Sequence, residues 1–300
     1  MTIKYEERLF LADSQSDRTT MKTSKFTLFL LIPFVSCMNT NNKNAAKDYS
    51  DRESEIEPTE TVRFNTLIKG MGSPTVIFES GLGTPLNNWN RIQTSISENY
   101  KTLSYDRKGI GLSPATKAPR TIENLVNDLD VLIRQNKIEG PIIFVGHSLG
   151  GHIVRKYQQS FPSQVKGLFL VDPTNEYVYD EIFDQMTPEA ADSMKNAWDN
   201  NFKKQPIGVY NEWKEAYAID EAMRNCPMPS SIPVTILVSY QANNFNTEEN
   251  IKIRKKLISD WQENKSNVKI LSTTKSGHYI HLGEPEWVIS ELEKYLKTFE

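Results

Sequence analysis

The run Pro141-Ile142-Ile143-Phe144-Val145-Gly146-His147-Ser148-Leu149-Gly150-Gly151 limits what this chain can fold into more tightly than any other stretch. Four consecutive apolar residues, Ile142 to Val145, read as a strand covered on both faces, and an amphipathic helix over roughly Leu149 to Ser160 follows G-x-S-x-G directly. So sharp a strand-to-helix turn needs close backbone crossings, which the missing side chains of Gly146 and Gly150 permit. Ser148 then stands clear of the sheet as a candidate nucleophile, and the helix N-terminus offers the Leu149 N–H as a donor. An ordinary Gly-rich turn has the same composition, so other segments must supply a base, an acid to orient it, and further oxyanion donors.

The chain has four histidines. His147 is expected to project to the other side of the turn, and His152, one helical turn later, to pack or cap locally. His278 follows the strand Val268 to Thr273 in a Lys-Ser-Gly-His loop, where a base reaches over the sheet edge toward a serine. His278 is the expected base, with His281 the alternative and an idle surface-loop histidine the plain reading of either. For the acid, the apolar strand that ends Leu168-Phe169-Leu170-Val171 stops at Asp172-Pro173, placing a carboxylate at the edge where ligands gather. Asp172 leads and Glu176 is the second contender. The strand Pro233 to Val238 offers no carboxylate at its end before Glu248 and Glu249.

The strand Thr75 to Phe78 runs into Glu79-Ser80-Gly81-Leu82-Gly83, so the N–H of Leu82 joins that of Leu149 as a candidate oxyanion donor. A plain Gly-rich loop is the other reading. Ile122, Leu125, Val126, Leu129, Leu132 and Ile133 recur at helical spacing between the strands Thr102 to Tyr105 and Ile142 to Val145. This alternation predicts an α/β fold with a mostly parallel central sheet and helices on both faces.

These segments together resemble the α/β-hydrolase superfamily, in its lid-bearing branch that includes small esterases. The resemblance runs from about Thr61 to the C-terminus. It rests on Glu79 to Gly83, on Tyr105-Asp106-Arg107-Lys108-Gly109-Ile110-Gly111-Leu112-Ser113, on Gly146 to Gly151, on Leu170 to Pro173 and on Ser276-Gly277-His278. It implies that Asp106 and Arg107 support the site without performing chemistry. Ser80 stands where the family usually carries His, and the acid follows the sixth strand instead of the more frequent seventh.

The stretch between Pro173 and Pro233 is too long for a plain strand–helix connection, and its composition predicts a helical lid over about 174–232, inserted after the sixth strand. Its Trp198, Tyr210, Trp213 and Tyr217 either line a pocket or pack the lid onto the sheet. A net charge of −3 with scattered Lys and Arg excludes a nucleic-acid footprint. No metal site and no cofactor are indicated. Residues 21–37 carry a basic start, a short apolar run and a small residue before Cys37, the layout of a secretory signal. The segment resembles a bacterial lipoprotein signal, which implies lipidation at Cys37, with 1–20 an upstream extension and 38–60 a flexible linker ahead of a single domain, 61–300. An exported protein facing the periplasm or cell exterior follows, touching the membrane only through Cys37. A cytoplasmic protein is the alternative. Cys226 is left as a packed thiol.

The expected function is a serine hydrolase that cleaves a small-molecule acyl substrate, foremost a carboxylic ester, through an acyl-serine. Amide, lactone or carbon–carbon bond hydrolysis and non-catalytic ligand binding on the same fold are the alternatives.

Overall fold

The computed structural model describes residues 63–243 and 246–300. The extension at 1–20, the signal-like segment 21–37 with Cys37, and the linker at 38–60 lie outside the described residues.

Seven strands form one sheet: β1 (Thr66–Lys69), β2 (Thr75–Glu79), β3 (Thr102–Tyr105), β4 (Ile142–His147), β5 (Val165–Val171), β6 (Val234–Ser239) and β7 (Val268–Thr273). Their order is β1-β3-β2-β4-β5-β6-β7, with β1 antiparallel to β3 and every other pairing parallel. Helices α1 (Asn90–Ile96), α2 (Ile122–Gln135) and α3 (Leu149–Ser160) precede β5; α4 (Val178–Phe183), α5 (Pro188–Phe202) and α6 (Ile207–Met223) lie between β5 and β6. Helix α7 (Glu248–Asp260) leads to β7, and α8 (Ile280–Gly283) and α9 (Pro285–Leu296) follow it.

The period-two alternation of side chains along a strand splits the core into two layers. Ile142 and Phe144 of β4 join Ile77, Leu168, Leu170 and Ile236 in a cluster with α2 and α3. Their neighbours Ile143 and Val145 join Val76, Phe78, Phe169 and Leu237 in a second cluster with α1 and α9. Both layers are needed because a parallel strand is covered on both faces, and burying each such side chain stabilises by about 1.5–3 kcal/mol. Helix starts follow their caps: the Thr121 hydroxyl accepts from Asn124 N at the head of α2, and Thr187 does the same for Ala190 N ahead of Pro188 in α5.

After β2 the chain moves outward to β3, then returns to place β4 on the opposite side of β2. The crevice at such a reversal, at the carboxyl ends of the strands, is where open α/β sheets bind ligands. The Gly81 loop after β2 and the Ser148 turn after β4 flank it. The helical insertion α4–α6 follows β5, which is the fifth strand of the described sheet, because four described strands come before it.

Candidate active site

Ser148 adopts φ 51° and ψ −120°, a backbone conformation that costs a non-glycine residue about 1–3 kcal/mol. Packing enforces it. A Cβ on Gly150 would meet Glu79 O and come within 2.8 Å of Ser80 O; one on Gly146 would lie 2.9 Å from Gly150 O; one on Gly151 would lie 2.8 Å from Pro173 Cβ. The Ser148 N–H donates to Val171 O at 3.3 Å, and its carbonyl accepts from Thr174 N at 3.3 Å, which pins the turn to the end of β5. Its Oγ pairs with Thr174 Oγ1 at 3.4 Å.

Asp172, the first residue beyond β5, is buried and also has positive φ, at 42°. Its two oxygens are divided between partners. Oδ1 accepts from Ser239 N at 2.7 Å and from Arg254 Nη2 at 2.9 Å; Oδ2 accepts from His278 Nδ1 at 2.7 Å. Burial alone would raise the carboxyl, but Arg254, His278 and the Ser239 N–H together hold it below the usual carboxylate range. A carboxylate can only accept, so His278 carries its proton on Nδ1 and leaves the Nε2 lone pair free. Ser148 and His278 do not hydrogen-bond to one another among the described residues; they are neighbours through His147, whose ring centroid is 4.6 Å from that of His278. Bonds of this kind are often long in ligand-free sites and tighten around substrate.

His147, expected on the other side of the turn, packs against the His278 loop. It is buried under the His278 loop, and because its Nε2 lies 3.0 Å from the carbonyl of His278, Nε2 bears the proton. Burial, and then the nearby His281 and His278, push its imidazole well below the usual range, so it stays neutral. His281 is buried and stacked on Trp89 with centroids 4.4 Å apart. Burial chiefly, with His278 adding, pushes it down to about 3, and it does not reach Asp172 as a hydrogen-bond partner. His152 pairs its Nε2 with Asp220 Oδ1 on α6 at 3.0 Å, so it ties α3 to the insertion rather than capping locally. Glu176 is committed elsewhere: it receives Arg155 Nη1 at 2.8 Å and Nη2 at 3.2 Å. Cys226 is a buried free thiol.

The Leu82 loop lies against the serine turn, since a Cβ on Gly81 would fall 2.7 Å from His147 Nδ1 and 3.3 Å from Ser148 Cβ. Among the described residues neither the Leu82 nor the Leu149 N–H has an acceptor within the chain. Arg107 supports this loop. It donates to Glu79 Oε1 at 2.7 Å, to Ser80 O at 2.6 Å, to Gly81 O at 2.7 Å and to Glu212 Oε1 and Oε2 at 2.7 and 2.8 Å. Burial opposes its charge, but Glu212 and Glu79 outweigh that and keep it protonated. Burial pushes the Glu79 carboxyl up against the pull of Arg107, and the Tyr105 hydroxyl hydrogen-bonds to it. Asp106 serves the neighbouring turn, accepting from Leu86 N at 2.7 Å and Leu112 N at 2.9 Å.

Three groups in this arrangement escape a reading of the sequence. Glu212 lies on the buried face of α6 between Val209 and Trp213, so a charge interrupting an apolar stripe was the available signal. Glu79 closes an apolar strand in the same way. Arg254 sits beside the core positions Ile253 and Leu257 of α7 among other basic residues, and nothing in the sequence separates it from them. The insertion's aromatics pack on one another: Trp213 stacks on Phe202 at 4.1 Å, and Trp198 meets Trp213 at 6.1 Å.

The sequence profile of the alpha/beta hydrolase fold matches residues 74–287, a span that includes every group of the site. The chain belongs to the α/β-hydrolase family. Among relatives of this α/β-hydrolase, the uncharacterized protein YqjL of Bacillus subtilis is 31% identical over 105 residues, which are 35% of this chain and 42% of that protein. The chain thus matches less than half of that relative's length. An esterase of Thermogutta terrifontis superimposes with a TM-score of 0.60 at 16% identity, covering 80% of this chain and 96% of that one. An enol-lactonase of Burkholderia xenovorans superimposes with a TM-score of 0.59 at 17% identity, covering 79% and 96%. At such identities the superpositions establish the fold, and membership of the family supports a hydrolase.

Proposed function

We propose that this α/β-hydrolase is a serine hydrolase that cleaves a carboxylic ester or similar acyl substrate through an acyl-serine intermediate. One observation carries the reading: the buried Asp172 carboxylate takes the Nδ1–H of His278 at 2.7 Å, which fixes the tautomer whose Nε2 accepts a proton, beside a serine held on a strained turn.

In this mechanism His278 Nε2 takes the Ser148 hydroxyl proton as Oγ attacks the acyl carbon. Asp172 orients the ring and stabilises the imidazolium without itself becoming protonated. Negative charge develops on the carbonyl oxygen, where the N–H groups of Leu82 and Leu149 stabilise it. As the tetrahedral intermediate collapses, His278 returns the proton to the leaving alcohol. Water, deprotonated by the same nitrogen, then attacks the acyl-serine and releases the acid.

The fold alone does not choose among acyl substrates, since an esterase and an enol-lactonase both superimpose on it. The split Asp172 contacts, which commit His278 to base chemistry, favour turnover over mere ligand binding. Replacement of Ser148 tests the reading: Ser148→Ala is expected to abolish hydrolysis of short acyl esters and labelling by a fluorophosphonate. Labelling that persists in the variant would overturn the nucleophile.

A further inference from the structure

Two consecutive peptide groups of the loop after β2 are held by one ion pair. In a trans peptide the carbonyl and the N–H point in opposite directions. Gly81 O accepts from Arg107 Nη2 at 2.7 Å and from Thr84 Oγ1 at 2.8 Å, so the N–H in the same peptide plane, that of Leu82, is turned away from the guanidinium. In the next plane the Gly83 N–H donates to Glu212 Oε2 at 2.8 Å, which turns the Leu82 carbonyl away from Glu212. The carboxylate that fixes the second plane also holds Arg107 through Nε and Nη2, and Arg107 fixes the first. Both planes flanking Leu82 therefore depend on Glu212, a fully buried residue of α6 in the inserted helices.

The seat of α6 is equally close. A Cβ on Gly83 would come 2.6 Å from Val209 Cγ1, and one on Gly208 would run into the Gly109 carbonyl, so the first turn of α6 rests directly on the loops after β2 and β3. The Glu212 carboxylate, one turn further on, is thus held against the Gly83 N–H.

We propose that Glu212 is a positioning residue, through which the inserted helix α6 aims the Leu82 N–H at the oxyanion formed on Ser148. The inference rests on the serine-hydrolase reading above. It makes the insertion part of the oxyanion apparatus: the carboxylate touches no reacting atom, yet transition-state stabilisation depends on it.

The test compares Glu212→Gln and Glu212→Asp with the wild-type full chain on a short acyl ester. The first removes one of the two carboxylate charges that hold Arg107, leaving Glu79, and the second withdraws the carboxylate from Gly83. Expected are a fall in kcat of about 10- to 100-fold, milder than the roughly 10²- to 10³-fold that follows outright loss of an oxyanion donor, and a KM that stays within about threefold. The inhibition constant of a trifluoromethyl ketone, whose carbonyl carbon is attacked by the Ser148 oxygen so that its own oxygen becomes an oxyanion, is expected to rise in step with the loss in kcat/KM. A purely structural residue would leave that parallel unmet. The inference is overturned if kcat is unchanged in both folded variants, if KM alone moves, or if neither variant folds, which would assign Glu212 to stability. A wild-type protein that neither turns over the ester nor labels at Ser148 defeats the underlying reading instead, so the two failures are distinct.

Discussion

Asp172 and His278, 106 residues apart in sequence, meet at 2.7 Å between Oδ2 and Nδ1, while the other oxygen of the same carboxylate is held by Arg254 and by the backbone of Ser239. The carboxylate is therefore held from two sides, and it fixes the Nδ1 end of the imidazole. Asp172 follows β5, Ser239 ends β6, His278 lies in the loop after β7 and Arg254 comes from α7; the parallel register brings the carboxyl ends of the three strands together, with Val171 opposite Leu237 and Ser239 opposite Thr273.

Asp172→Asn is expected to lower kcat by about 10³- to 10⁴-fold, because an amide in place of Oδ2 presents a donor or a weaker acceptor to Nδ1 and disfavours the productive tautomer. Glu176→Gln is expected to leave kcat nearly intact and to lower thermal stability, since Glu176 serves the buried Arg155 and not the site. Initial rates and melting curves on the two variants separate them. A loss of rate in the Glu176 variant alone would reassign the acid.

Removal of the Arg254 guanidinium leaves Asp172 Oδ1 with only the Ser239 N–H. The side chain of Arg254 is 17% exposed and that of Asp172 1%, so this is an ion pair largely withdrawn from water. Arg254→Met is expected to destabilise the fold by about 3 kcal/mol, the low end for breaking a buried pair, and to reduce kcat by at least about tenfold as the carboxylate loses its fixed orientation. Arg254→Lys restores charge without the planar fork and is expected to recover part of the stability. Urea unfolding with parallel kinetics measures both. Full activity in the methionine variant would show that His278 and Ser239 suffice to orient the acid.

Acid sensitivity follows from the histidines beneath the site. The His281 imidazole falls to about 3 in the folded chain and returns to the ordinary value of 6.5 on unfolding. Between those values the unfolded chain binds a proton that the folded chain does not, so stability declines as pH falls through this window, by about 1.4 kcal/mol per pH unit for one such group. His147, pushed in the same direction, steepens the slope. His281→Phe keeps a ring against Trp89, removes a buried Nδ1 that has no partner among the described residues, and is expected to flatten the dependence by one group's share. Equal slopes for both proteins in urea unfolding at pH 6.5, 5.5 and 4.5 would refute it.

The strand, turn and helix around Ser148 were legible because local rules decide them: an apolar run too continuous for an exposed strand, glycines where backbones cross, a helix at the required distance. The same holds for β5 ending at Asp172 and β7 running toward His278, so the alternating α/β plan and the chemical candidates came from the chain alone. Which histidine and which carboxylate meet was decided by the tertiary structure, because His278 and His281 differ by three positions in sequence yet one pairs with Asp172 and the other stacks on Trp89. Arg254 became visible only there, and Glu212 showed in the sequence only as a charge within an apolar stripe. Each is one charged side chain on a helix that carries several, and only the packing of that helix against loops far away in sequence determines which charge is buried, paired and aimed at the site.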